Sequence, residues 1–93
     1  INNEPGLLVS FLMEYGDMEK TLAKSSIGHV VKLNRIDGDE LISERLIDMG
    51  FHPGVEIEFI DRMVSGGPFI IRIQSSFFAL REEEAECLKV IDL

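Results

Sequence analysis

From Ile27 the hydrophobic and polar positions alternate with a period close to two. The segment "IGHVVKLNRI" reads as a strand with Val31, Leu33 and Ile36 toward a core, and "DGD" breaks it. In "VEIEFID", Val55, Ile57 and Phe59 alternate with Glu56, Glu58 and Ile60, the pattern of a half-buried strand. "FIIRI" places Phe69, Ile71 and Ile73 on one face, and the "SGGP" ahead of it is a tight-turn signal, so these two strands form a hairpin. "SSFFAL" and the closing "LKVIDL" are further short strands. Between them "REEEAE" reads as a helical turn whose acids sit near the N-terminus, where the macrodipole favours them.

Two segments follow a helical period instead. Ile42, Leu46 and Met49 recur at i, i+4 and i+7 with Leu41 beside them, while Glu40, Ser43, Glu44 and Asp48 take the wetter side. Asp39 is a natural N-cap, and Gly50 supplies the left-handed position that ends a helix of about ten residues. Pro53 stops the helix from resuming, and Gly54 suits the positive φ of a type II turn. The stretch "RLIDMGFHPG" is therefore a helix-to-strand corner. Near the start, Leu8, Phe11, Leu12 and Tyr15 repeat at i, i+3, i+4 and i+7; Asn3 can cap that helix, Pro5 fits its first turn and Gly16 can end it. A helix of about two to three turns is marginal alone. It must dock on its own domain, on a second copy or on a partner. "DMEKTLAKSS" after it reads as a linker or a weak strand.

The resulting order is β, α, β, β, β, a short helical turn, then β. About five short strands cannot make a doubly wound sheet; a small, strongly bent antiparallel barrel removes their exposed edges. The expectation is a mainly β barrel with one inserted helix, spanning residues 20–93, and an N-terminal helical extension over residues 1–19.

Charge narrows the partners. The 93 residues carry a formal charge of −8, which opposes the phosphate neutralisation behind nucleic-acid binding and disfavours an anionic membrane surface. Hydrophobic residues make up 45%, so the chain is globular rather than a disordered tail. Cys87 is the one cysteine, which excludes an internal disulfide and fits a reducing compartment. No apolar run approaches the roughly 18 residues of a membrane span, and the first residues have neither a basic region nor a cleavage site. A soluble, cytoplasmic protein is expected.

The chain offers little chemistry. His29 and His52 are the candidate bases, but no serine or cysteine is paired to either by pattern. Glu82, Glu83 and Glu84 read as a solvated helix start, and "SGGP" lacks the phosphate-cradling signature. For a metal, His29, His52, Cys87 and the acids could serve as donors, yet no H-x-x-x-H or C-x-x-C spacing is present. No metal site is assigned, with a bound transition metal such as iron or zinc kept as the alternative. A binding surface is the better reading. Phe77 and Phe78 are adjacent and must point opposite ways; if Phe78 and Leu80 face the core, Phe77 and Ala79 do not, and the same holds for Ile70 and Ile60. Arg45 is free to meet a neighbouring acid or a partner's carboxylate. The candidate partner contacts are Arg45, Met49, Phe51 and Phe77. The candidate structural residues are Gly50, Pro53, Gly54, Gly66, Gly67 and Pro68.

Three ordered motifs carry a resemblance. Arg45, Leu46, Met49, Gly50, Phe51, Pro53 and Gly54 match an R-L-x-x-M/L-G-F-x-P-G segment. Gly66, Gly67 and Pro68 match a G-G-P turn, and Ala79, Leu80, Arg81, Glu84 and Ala85 match an A-L-R-x-x-E-A ending. From about Lys20 to Leu93 the chain resembles the FeoA family; residues 1–19 fall outside the likeness. The resemblance implies an SH3-like barrel with a helix inserted after the first strand, and a small cytoplasmic protein serving ferrous iron uptake. It implies a FeoB-type membrane transporter with a cytosolic G-protein domain as partner. The same barrel ends the DtxR-like metal-dependent repressors, whose helix-turn-helix domain 93 residues leave no room for. The expectation is a non-enzymatic accessory domain. Its rivals are a metal-binding sensor or carrier, and a domain that self-associates through residues 4–16.

Overall fold

The computed structural model describes residues 18–64 and 66–93. The helix read over residues 4–16, and Ser65 in the turn, lie outside them. The described elements run β1 (Lys20–Thr21), a 3-10 turn (Leu22–Lys24), β2 (Val30–Ile36), α1 (Glu40–Asp48), β3 (Glu56–Arg62), β4 (Phe69–Ile73), β5 (Ser76–Leu80), α2 (Glu82–Cys87) and β6 (Leu88–Asp92).

All the strands join one antiparallel sheet of six, in the order β1-β6-β2-β3-β4-β5. Five of them are the strands the alternation predicts, and β1 is an addition of two residues. One point is corrected. The sheet is not closed by hydrogen bonds, so β1 and β5 remain edges among the described residues. The barrel character comes from curvature. Leu22, Val31, Leu33, Ile57, Phe59, Phe69, Ile71, Leu80, Leu88 and Val90 share one core although they span the whole sheet. A single sheet with no second layer can enclose its own inner face only by curling around it.

Two bulges sharpen the curl. Leu33 pairs with Val90 and Arg35 with Lys89, which leaves Asn34 as an extra residue in β2. Phe59 pairs with Ile71 and Asp61 with Ile70, which leaves Ile60 extra in β3. Each added residue bends the strand and shifts its side-chain parity. That is why Ile36, an odd number of positions after Leu33, still packs toward the core.

The helix-to-strand corner has well-defined hydrogen bonds. The Asp39 carboxylate accepts from Ile42 N–H at 2.9 Å and starts α1. At the other end Gly50 N–H donates to the Ile47 carbonyl and Phe51 N–H to the Leu46 carbonyl, both at 3.0 Å, with Gly50 at φ 108°. This is a Schellman motif, and the two residues whose side chains such a motif brings together, Leu46 and Phe51, are both fully buried in the same core. Val55 N–H then donates to the His52 carbonyl at 3.1 Å across Pro53 and Gly54, and Gly54 has φ 96° as a type II turn requires. Gly54 N–H and the Val55 carbonyl both bond to Leu33, at 2.7 and 2.8 Å, and tie the corner to β2.

The "DMEKTLAKSS" stretch contributes more than a linker. Leu22, in its 3-10 turn, is fully buried. Just before β1, the Glu19 carboxylate is held by Asn34 and by Arg35, whose Nη2 lies 2.9 Å away. Leu41, expected near the buried side of α1, is 78% exposed instead, because it lies about 100° around the helix from Ile42.

Candidate functional site

Two surfaces carry the residues that sequence singled out. The first is the junction of α1 and α2. Arg45 Nε on α1 lies 3.4 Å from Oε2 of Glu84 on α2. The other Glu84 oxygen accepts the Arg81 backbone N–H at 2.9 Å and caps α2. Glu84 is 4% exposed, so the expectation of a fully solvated acidic run is corrected: Glu83 faces water, whereas Glu84 is a buried structural carboxylate. A buried carboxylate needs such partners to offset its lost hydration. Arg45 and Glu84 belong to the first and third motifs, which are far apart in sequence and meet here. An open groove of about 360 Å³ runs along the pair, lined by Leu41, Ile42, Arg45, Arg81, Glu83 and Glu84.

The second surface is the outer face of the sheet. Val30 pairs with Glu58, Glu58 with Arg72, and Arg72 with Phe77, forming a row across four strands. Glu58 and Arg72 form an ion pair in the middle, and Phe77 stands 60% exposed at the end, on edge strand β5. Ala79 is exposed and Ile70 half-buried on the same face, as the alternation predicts, while Phe78 turns inward to within 5.8 Å of the Phe51 ring.

The four candidate contacts do not form one patch. Arg45 borders the groove. Met49, the C-cap of α1, is half-buried against the core. Phe77 belongs to the sheet surface. Phe51 is 0% exposed, so as a partner contact it is corrected: no partner touches it in this conformation. The sequence reading missed Glu84 and Leu41. For Phe51 the signal was available, since the residue after a C′ glycine commonly packs back on the helix.

The potential metal donors are dispersed. His29 and His52 are exposed in separate turns, and Cys87, on α2, donates its thiol to the Glu83 carbonyl at 3.2 Å. Burial pushes the Cys87 thiol up from its ordinary range, which disfavours the thiolate a metal would need. Among the described residues no three His, Cys, Asp or Glu side chains converge on a point. No helix among them is long and apolar enough to cross a membrane.

These features define a small, mainly β domain of the SH3-like kind, whose distinctive chemistry lies on open surfaces. The family model of the FeoA domain matches residues 20–92, and the chain belongs to the FeoA family. Solved structures agree. An iron uptake regulatory protein (FeoA) is 28% identical, with a TM-score of 0.73 over 82% of this chain and 99% of that one. A FeoA-like protein from Clostridium acetobutylicum is 26% identical, with a TM-score of 0.75 over 82% and 88%. Stenotrophomonas maltophilia FeoA, complexed with zinc, is 26% identical, with a TM-score of 0.67 over 75% and 87%. It is described as a procaryotic SH3 domain protein and suggested to act as a ferrous iron transport activating factor. A manganese-dependent transcriptional repressor, 18% identical with a TM-score of 0.74, shares the fold. A comparison with curated protein sequences finds no match. Family membership places the chain in ferrous iron transport, as an accessory domain.

Proposed function

We propose that the chain is a non-enzymatic, cytoplasmic docking domain that binds the cytosolic part of a FeoB-type transporter and biases its state. One observation carries the choice of surface. The groove between α1 and α2 exposes Leu41, 78% accessible, and is also lined by Arg45 and Arg81. A large exposed aliphatic side chain next to forked cationic donors suits an apolar anchor with a carboxylate at its rim. In this reading Arg45 spans both roles, fixing Glu84 on one side and presenting a 57% exposed side chain on the other. Ferrous iron is the cargo of the transporter in this scheme.

Regulation requires that the domain bind two transporter states with different affinity. Calorimetry with the transporter's cytosolic region, nucleotide-free and with GDP or a GTP analogue, tests this. Binding in at least one state is expected, weakened about tenfold or more by Leu41→Asp. Absence of binding in every state, with the membrane-embedded transporter also tried, overturns the proposal.

A further inference from the structure

The two edges of the sheet are built differently. β1 is two residues long, and its Lys20 is engaged by Asp92 at 3.0 Å. A short edge bearing a lysine is a protected edge. β5 has none of these devices. Its sequence, Ser76-Phe77-Phe78-Ala79-Leu80, contains no charge and no proline. Its pairing with β4 runs through five unbroken pairs, whereas both bulges lie elsewhere in the sheet. Among the described residues β4 is the one strand that hydrogen-bonds to it, and no other backbone bond reaches its outer edge. An unbulged, uncharged, apolar edge with free N–H and C=O groups is a template for another strand.

We propose that β5 is a self-association edge, through which two copies of the chain pair antiparallel and join their sheets. The sizes and charges along the strand suit a second copy of itself. Directly opposed residues share a face of a sheet, so the two-fold axis must pass midway between the two copies of a single residue. Centred on Phe78, all five residues find partners. On the outer face Phe77 of each copy opposes Ala79 of the other, large against small. On the inner face Phe78 meets its own counterpart, which extends the Phe51–Phe78 contact of each core across the junction. Ser76 opposes Leu80. The flanking Arg81 faces Ser75, so no like charges oppose each other although each chain carries −8. A partner strand bearing basic residues would suit the overall charge better, but it would find no acid within β5 to read. Five residues bury less than the roughly 1,200–2,000 Å² of stable interfaces. The pairing is therefore weak and driven by concentration.

Sedimentation of the full chain, from micromolar to millimolar concentration, tests this without any transporter, so its outcome is independent of the docking proposal. The mass should rise from 10.5 kDa toward twice that value. It should rise further with added salt, which screens repulsion between two acidic chains. Ala79→Lys should weaken association about tenfold or more with an unchanged circular dichroism spectrum. Chains carrying Phe77→Cys and Ala79→Cys, each in a Cys87→Ser background, should cross-link to one another faster than either does to itself. A monomer at every concentration and salt overturns the proposal. So does a dimer indifferent to Ala79→Lys, one that loosens with salt, or cross-linking without preference for the mixed pair.

Discussion

Arg45 Nε stands 3.4 Å from Oε2 of Glu84, and this pair is the polar bolt between the two helices. Its halves are unequal. The Arg45 side chain is 57% exposed, whereas that of Glu84 is 5% exposed and also holds the Arg81 N–H. Removing the carboxylate loses two interactions at once. Glu84→Ala should destabilise the fold by about 1–3 kcal/mol, and Arg45→Ala by only about 1 kcal/mol, since the cap remains and water reaches the site. Urea denaturation of both variants and the double variant checks this, with a coupling of at most about 1 kcal/mol expected.

Gly38 is required by its neighbour. A Cβ there would lie 2.8 Å from Cys87 Sγ and 3.3 Å from Cys87 Cβ. Gly38→Ala should cost about 1–3 kcal/mol as overpacking. Adding Cys87→Ala should recover part of that loss, because it removes the nearer atom. Thermal melts of the two single variants and the double variant test the coupling.

The two exposed-looking aromatics should separate cleanly. Phe51→Ala empties a fully buried site and should cost about 3–5 kcal/mol. Phe77→Ala, at a 60% exposed site, should stay within about 0.5 kcal/mol. Chemical denaturation of both variants at the same pH provides the comparison.

Acid should loosen the start of the domain. Hydrogen bonding from Arg35 is the main force holding the Glu19 carboxyl below its ordinary value of 4.5; burial opposes it and Asn34 assists. A carboxyl lowered in the folded state stabilises fully above its unfolded pKa, and that stability is lost as pH falls through the folded value. The wild type should therefore lose up to about 1 kcal/mol from this group below pH ~4.5. Glu19→Gln should flatten that part of the profile. Denaturation midpoints measured from neutral pH to pH ~3 decide it.

Much of this architecture was readable beforehand, for identifiable reasons. Alternation in β3, β4 and β5 assigned Phe59, Ile71 and Leu80 inward and Phe77 outward because each strand has one wet face. Asp39 and Gly50 bounded α1 because capping is local chemistry. The bulges at Asn34 and Ile60 were not readable: an extra residue is visible only against its partner strand. β1 is too short to carry a period. Glu84 misled because a carboxylate in an acidic run looks hydrated, and its partners, the Arg81 N–H and Arg45 from a distant helix, come together only in the folded chain. The groove therefore required tertiary structure, although the residues on its rim had been noticed one by one.

The corner at Gly54, sewn to Leu33 on both sides, makes α1 an excursion that leaves the sheet after β2 and returns to it beside β2. Such an appendage can change its solvent-facing lettering while the scaffold that launches and lands it stays constant. Relatives could thus acquire different recognition preferences on an unaltered chassis, and a protein engineer could graft another short helix between the same two anchor points.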